Sequence, residues 1–256
     1  MIVKRDCYYW PKGENRMLHI YLPEDYDTSG ELYPVMYMFD GHNLFFDSDA
    51  TYGTSWGLYD FMKGYDKQVI IVGMECSHTG NERLEEYCPY RKKMMGQWID
   101  GIGDKTMQWI VNEVKPLIDR EYRTYGHREA TAIGGSSMGG LMTLYAMLAY
   151  NGYFSKGAAL STGVFWNISN LRKELESHAI QPDTRIYMSW GEKEMGRAAY
   201  GKDPSKDTRE ARTVYKFERE LQERGVKTYH YFQWGGEHCE LDWRSQNQIY
   251  MDFLWK

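Results

Sequence analysis

The sequence predicts an α/β fold: a mostly parallel central sheet covered by helices on both faces. Three observations carry that expectation. Short, nearly continuous apolar runs at residues 34–40 (PVMYMFD) and 69–74 (VIIVGM) have the pattern of strands buried on both faces. Between such runs the period becomes helical, as at Met107, Ile110, Val111, Val114, Leu117 and Ile118. Strands that alternate with helices need crossover connections, and these build a parallel sheet.

Taken in order, residues 16–22 (RMLHIYL) alternate and end at Pro23, which suits an edge or antiparallel strand. Residues 131–135, 157–161, 185–190 and 226–232 repeat the short-strand pattern. Pro116 lies inside the helical run from Met107 and should kink it. Residues 141–150 follow a glycine-rich turn as an apolar helix. Residues 207–224 read as a polar-faced helix closed by Gly225, and the last helix runs over about 242–255. Residues 77–103 have no clear period and read either as a loop carrying substrate contacts or as a long surface excursion. No repeat, low-complexity stretch or linker divides the chain, so residues 1–256 are expected to form one domain.

Composition narrows the function. The 256 residues are 42% hydrophobic and 26% charged, ordinary values for a globular chain. Net charge is −5, with 31 basic residues scattered among 36 acidic ones, which argues against nucleic acid or an anionic membrane as a partner. No apolar run reaches the roughly 20 residues of a membrane helix. The N-terminal MIVKRDC has no apolar stretch after its basic pair, so no signal peptide is expected. Cys7, Cys76, Cys88 and Cys239 form no CxxC pair and fit no zinc spacing, so a reduced, cytoplasmic protein is expected. Aromatic residues reach 16%, with 22 Tyr and 9 Trp; they suit a core, or a cleft for flat or sugar-like ligands.

The chemistry concentrates in Ala132-Ile133-Gly134-Gly135-Ser136-Ser137-Met138-Gly139-Gly140. Residues 135–139 spell G-x-S-x-G between an expected strand and an expected helix, the context of a nucleophile elbow. Such a turn lifts the serine hydroxyl to a helix N-terminus, whose dipole favours a developing oxyanion. Neither a P-loop nor a G-x-G-x-x-G spacing is present. Ser137 is the expected nucleophile, and its neighbour Ser136 falls at the wrong place in the motif.

A serine needs a general base. Of the seven histidines, His238 lies in Trp234-Gly235-Gly236-Glu237-His238, after the last expected strand and before the last helix. That matches the chain order serine, acid, histidine. His19 and His230 fall inside expected strands, and His78, His127 and His178 in polar surroundings; their spacings suggest no metal site. The acid should follow the strand at 185–190, where Glu192 and Glu194 stand, with Asp203 and Asp207 further on. An oxyanion hole needs two backbone N–H groups. Met138, next to the nucleophile, should supply one, and His42, in the loop Asp40-Gly41-His42-Asn43, the other. The His42 ring could instead act itself, or cap the loop.

The segments YPVMYMFDGHNLF, VKPLIDREYRT, GGSSMGGL and GGEHCELDWR stand in this order along the chain. Together they resemble an esterase family of α/β-hydrolases that includes esterase D-like enzymes, enterochelin-esterase-like hydrolases and feruloyl or acetyl-xylan esterases. The resemblance runs from about Leu18 to the C-terminus. It implies the α/β-hydrolase fold, Ser137 as nucleophile, His238 as base, and Glu194, in the turn Gly191-Glu192-Lys193-Glu194, as acid. It implies no metal or organic cofactor. Gly135-Ser136-Ser137-Met138 departs from the G-H-S-M-G-G of S-formylglutathione hydrolases, which ranks that thioesterase activity lower.

The expected function is that of a serine carboxylic-ester hydrolase working through an acyl-enzyme. Its expected substrates are small-molecule or carbohydrate-linked esters, with feruloyl or acetyl groups on plant polysaccharide preferred. Trp166 is a candidate wall of the cleft, or a core residue. Two alternatives keep the same fold: acyl transfer to an alcohol or thioester cleavage on the same triad, and a catalytically silent binding module.

Overall fold

Val35–Phe39 (β3) and Ile70–Met74 (β4) pair in parallel and are buried at every position, as their unbroken apolar composition requires. They belong to the first of two compact units, Met1–Ile133 and Gly134–Lys256. The computed structural model describes residues 1–94, 96–194 and 208–256. Its strands are mostly parallel, and an α/β fold is what the structure has.

In the first unit the strands lie in the order β1-β2-β4-β3. β1 (Ile2–Tyr9) and β2 (Glu14–Tyr21) form an antiparallel hairpin, and β2 also runs antiparallel to β4. β2 is the strand expected at 16–22, whereas β1 has no sequence-based counterpart. Its run IVKRDCYY carries three charges, and most of it is half-buried or exposed, so its pattern is diluted as edge strands are. Short helices α1 (Tyr26–Ser29) and α2 (Leu58–Gly64) follow β2 and β3.

Residues 77–103 are organised: α3 (Glu82–Glu86) precedes a small hairpin of β5 (Lys92–Met94) and β6 (Gln97–Ile99). Next, α4 (Gly103–Trp109) passes through a π-helical turn at Ile110–Val114 into α5 (Lys115–Glu121). Pro116 lies in the first turn of α5. The kink expected there is thus a wide turn just ahead of the proline, which has no N–H to give an α-helical bond.

β7 (Thr131–Ser136) runs through the boundary between the units. The second unit continues with α6 (Met138–Ala149), β8 (Lys156–Leu160), α7 (Val164–Ser177), β9 (Arg185–Gly191), α8 (Arg209–Glu223), β10 (Lys227–Gln233), α9 (Glu240–Ser245) and α10 (Asn247–Trp255). β8, β9 and β10 are parallel neighbours in that order. Every residue of α6 from Met138 to Leu148 is buried, each large apolar side chain contributing about 1.5–3 kcal/mol. α8 begins at a cap: Thr208 Oγ1 accepts the Ala211 N–H at 3.1 Å, one residue after the expected start, and Asp207 lies outside the described residues. Gly225, at φ 83°, ends it as expected. The single last helix expected at 242–255 is two helices, breaking at Gln246. Among the described residues no helix is long and apolar enough to cross a membrane.

Candidate active site

Ser137 stands between the last residue of β7 and the first of α6, at φ 57° and ψ −116°. A non-glycine residue held there costs about 1–3 kcal/mol, and only surrounding structure can keep it so. Three backbone hydrogen bonds do: Ser137 N–H donates to Leu160 O (3.0 Å), and Ser137 O accepts from Leu141 (3.1 Å) and Gly163 (3.2 Å). A Cβ on Gly140 would stand 2.8 Å from Leu160 O, so the tight turn needs glycine there. Ser136 is 4% exposed within the strand, while Ser137 is half-buried at the turn. Met138 is the first residue of α6, and its N–H is among the first-turn donors that no intrahelical carbonyl can reach.

His238 lies between β10 and α9. Its Nδ1 is 3.0 Å from Glu194 Oε2; the Glu194 side chain is 1% exposed and the imidazole 39%. The other Glu194 oxygen accepts the Gly191 N–H at 2.6 Å, so the carboxylate is held from two sides. Glu192 turns elsewhere and accepts the Gly235 N–H at 2.7 Å. Backbone bonds from Glu192 to Gln233 O (3.0 Å) and from Lys193 to Gly236 O (2.8 Å) tie the two loops together. Of the two neighbouring glutamates, one meets the imidazole and the other braces the loop that carries it. Asp203 and Asp207 lie outside the described residues. Asp242, at the start of α9, accepts the Glu237 N–H at 2.6 Å and secures the far side of the histidine loop.

His42 sits in a short 3-10 turn, Gly41–Asn43, after β3. Its N–H takes no part in the bonds closing that turn, Asn43 N–H to Asp40 O (2.9 Å) and Leu44 N–H to Gly41 O (3.4 Å). A Cβ on Gly41 would fall 2.4 Å from the Gly73 carbonyl carbon, so glycine gives the loop its close approach to β4. The His42 ring is buried, with Nε2 2.9 Å from Thr51 Oγ1 and the His78 ring 4.4 Å away, edge to face. Burial pushes its pKa below the ordinary value, assisted by His78 and opposed by Asp40.

Sequence reasoning missed the partner of this loop. Arg83, on α3, donates to both carboxylate oxygens of buried Asp40 at 2.7 Å each. Burial alone would raise the Asp40 pKa; the Arg83 charge and its hydrogen bonds outweigh that and hold it below the usual range. Tyr87 OH accepts the Asp40 N–H at 3.0 Å. Glu86, also on α3, takes Arg16 of β2 and the Ser77 N–H. These two buried pairs anchor residues 77–103 to the β3 loop and to β2. The signal available in the sequence was Arg83 and Glu86 at i, i+3, a spacing equally usual on a solvated helix face.

Among the described residues, donor atoms of Asp40, His42 and Cys76 lie within 4.8 Å of one another, as do those of Glu14, Glu82 and Glu86. In each set an arginine already supplies the counter-charge, Arg83 on Asp40 and Arg16 on Glu14 and Glu86. Neither donor set suits a cation. His19 pairs with Glu75 at 2.7 Å, and His230 stacks on Tyr215 with Glu218 3.2 Å away. His127 and His178 sit beside Glu129 and Glu174. Trp166 lies on α7 against Phe165, which in turn meets Trp190 of β9.

Comparison with known proteins agrees with this architecture. Esterase Rv1288 of Mycobacterium tuberculosis is 29% identical over 149 residues, 58% of this chain and 29% of that protein. An IroE-like serine hydrolase from Shewanella oneidensis superposes with TM-score 0.76 at 21% identity, over 99% of this chain and 80% of that one. A ferulic acid esterase does so with TM-score 0.68 at 17% identity, over 100% and 97%. At these identities the structural likeness establishes the α/β-hydrolase fold. The family model described as "Putative esterase" matches residues 12–247, and the chain belongs to that family of carboxylic ester hydrolases.

Proposed function

We propose that this chain cleaves carboxylic esters through an acyl-enzyme on a Ser137–His238–Glu194 triad. The observation that carries the reading is the contact of the buried Glu194 carboxylate with His238 Nδ1. A carboxylate there keeps the Nδ1 proton and leaves Nε2 free to act as base. Ser137 Oγ attacks the ester carbonyl as Nε2 takes its proton. The Met138 N–H receives the oxyanion, and the alcohol departs with the proton from Nε2. Water, deprotonated by the same nitrogen, then attacks the acyl-enzyme and releases the acid and Ser137.

For substrate we infer feruloyl or acetyl esters of plant polysaccharide, acted on as small-molecule or carbohydrate-linked esters without nucleic acid or membrane as partner. The aromatic content of the chain and its likeness to a ferulic acid esterase support that choice. Cysteine usage, four residues with no CxxC pair, suits a reducing compartment such as the cytoplasm. Labelling with a fluorophosphonate, followed by peptide mass spectrometry, tests the triad without a guess at substrate. Stoichiometric modification of Ser137 is expected; folded protein that takes no label there would sink the reading. Release of ferulate against acetate from arabinoxylan then ranks the acyl groups, and turnover of neither overturns the substrate assignment alone.

A further inference from the structure

We propose that Ser161 and Trp243 are positioning residues for His238, a clamp that ties the general base to the strand end supporting the nucleophile. The inference rests on the triad reading above and extends it to two side chains that touch no substrate.

Glu194 restrains the imidazole at one nitrogen only, and the ring is 39% exposed. One hydrogen bond fixes a distance but leaves a planar ring free to rock about it. The second restraint is Trp243, on α9, whose ring centroid is 5.2 Å from that of His238 with the planes at 86°, an edge-to-face contact. Trp243 is itself held: it is 6% exposed, and its Nε1–H donates to Ser161 Oγ at 2.7 Å.

Ser161 directly follows β8 and adopts φ 44°, a region that non-glycine residues seldom occupy. It is 3% exposed, and its N–H donates to Ser189 Oγ at 3.2 Å. Glycine would satisfy the backbone there but has no acceptor for the indole N–H. The hydroxyl therefore accounts for a side chain at a position whose conformation favours none. The preceding residue, Leu160, accepts the Ser137 N–H. The end of β8 thus holds the serine elbow through Leu160 and the histidine loop through Ser161 and Trp243. Each step in that series is a direct contact within the second unit.

Two variants test the clamp. Trp243→Phe keeps a ring beside His238 and removes the indole N–H; Ser161→Gly suits the backbone and removes the acceptor. Each should lower kcat on an acetyl ester, and the rate of Ser137 labelling, by about 10²-fold, the cost of misplacing a reacting group by an ångström. KM should stay close to wild type, and the acid limb of the kcat/KM profile should move. The double variant should be no worse than the worse single one, because both remove the same hydrogen bond. Folded single variants that label at the wild-type rate with an unmoved pH profile overturn the proposal while leaving the triad intact. Wild-type protein that fails to label at Ser137 overturns the triad reading itself. A third readout needs no variant: the Trp243 indole proton should be protected from exchange in the folded protein, and exchange as fast as in an exposed indole also overturns the clamp.

Discussion

His238 Nδ1 and Glu194 Oε2 meet at 3.0 Å across 44 residues of chain, with the carboxylate buried and the imidazole facing solvent. On the proposed triad the asymmetry matters, because the partner that would have to stay fixed is the one withdrawn from water. The exposed partner is the one that, as the proposed base, would exchange protons with substrate and solvent. Replacing Glu194 by Gln should put an amide against Nδ1, favour the wrong tautomer and lower kcat by about 10⁴-fold. Steady-state hydrolysis of a p-nitrophenyl ester measures it. Glu192→Gln, which alters the brace to Gly235, should cost far less; the reverse ranking would move the acid to Glu192.

The strain at Ser137 makes a stability prediction of opposite sign to its effect on activity. Ser137→Gly removes the proposed nucleophile and relaxes φ 57° into a conformation glycine adopts freely. It should raise unfolding free energy by about 1 kcal/mol while abolishing turnover. Chemical denaturation read beside an ester assay checks both halves, and a destabilised variant would argue that the elbow is not strained.

His42 is the oxyanion donor expected from sequence; its N–H takes no part in the bonds that close its own turn, and its ring is buried against Thr51 and His78. If the backbone is the donor, His42→Gln, whose amide can still reach Thr51, should retain kcat within about tenfold. Loss of about 10²–10³-fold, the usual cost of a deleted oxyanion donor, would assign the work to the ring.

The Asp40–Arg83 pair sets an acid limit on stability. Its folded pKa lies below the ordinary carboxylate value because Arg83 outweighs burial. The pair's contribution is therefore complete above the unfolded-state pKa of about 3.9 and is lost as pH falls through the lower folded value. Asp40→Asn strands the guanidinium and should cost about 3 kcal/mol at neutral pH. The gap between variant and wild type should narrow below about pH 4. Urea unfolding at a series of pH values reads it; a gap constant with pH would remove the charge from the explanation.

Much of this is legible in the sequence. Buried parallel strands must be apolar at every position, so β3 and β4 were plain in PVMYMF and IIVGM. The elbow was plain because glycines two places either side of a serine, Gly135 and Gly139, allow strand and helix to meet closely. β1 was not plain: an edge strand needs apolar side chains on one face at most, and Lys4, Arg5 and Asp6 hide its period. Nor was the order in residues 77–103, whose anchors are charged groups that look solvated until their partners arrive from β2 and the β3 loop.

Local chemistry alone therefore determined the fold class, the position of Ser137, and the short set of residues from which base and acid could come. Periodicity and glycine spacing are properties of neighbours in sequence, and these features depend on little else. Only tertiary structure decided that Glu194 rather than Glu192 meets His238, that Asp40 is neutralised by Arg83, and that Trp243 leans on Ser161 beside the imidazole. Each of these is a contact between residues far apart in the chain. A carboxylate, an indole or a guanidinium reads the same in sequence whether its partner is water or another side chain.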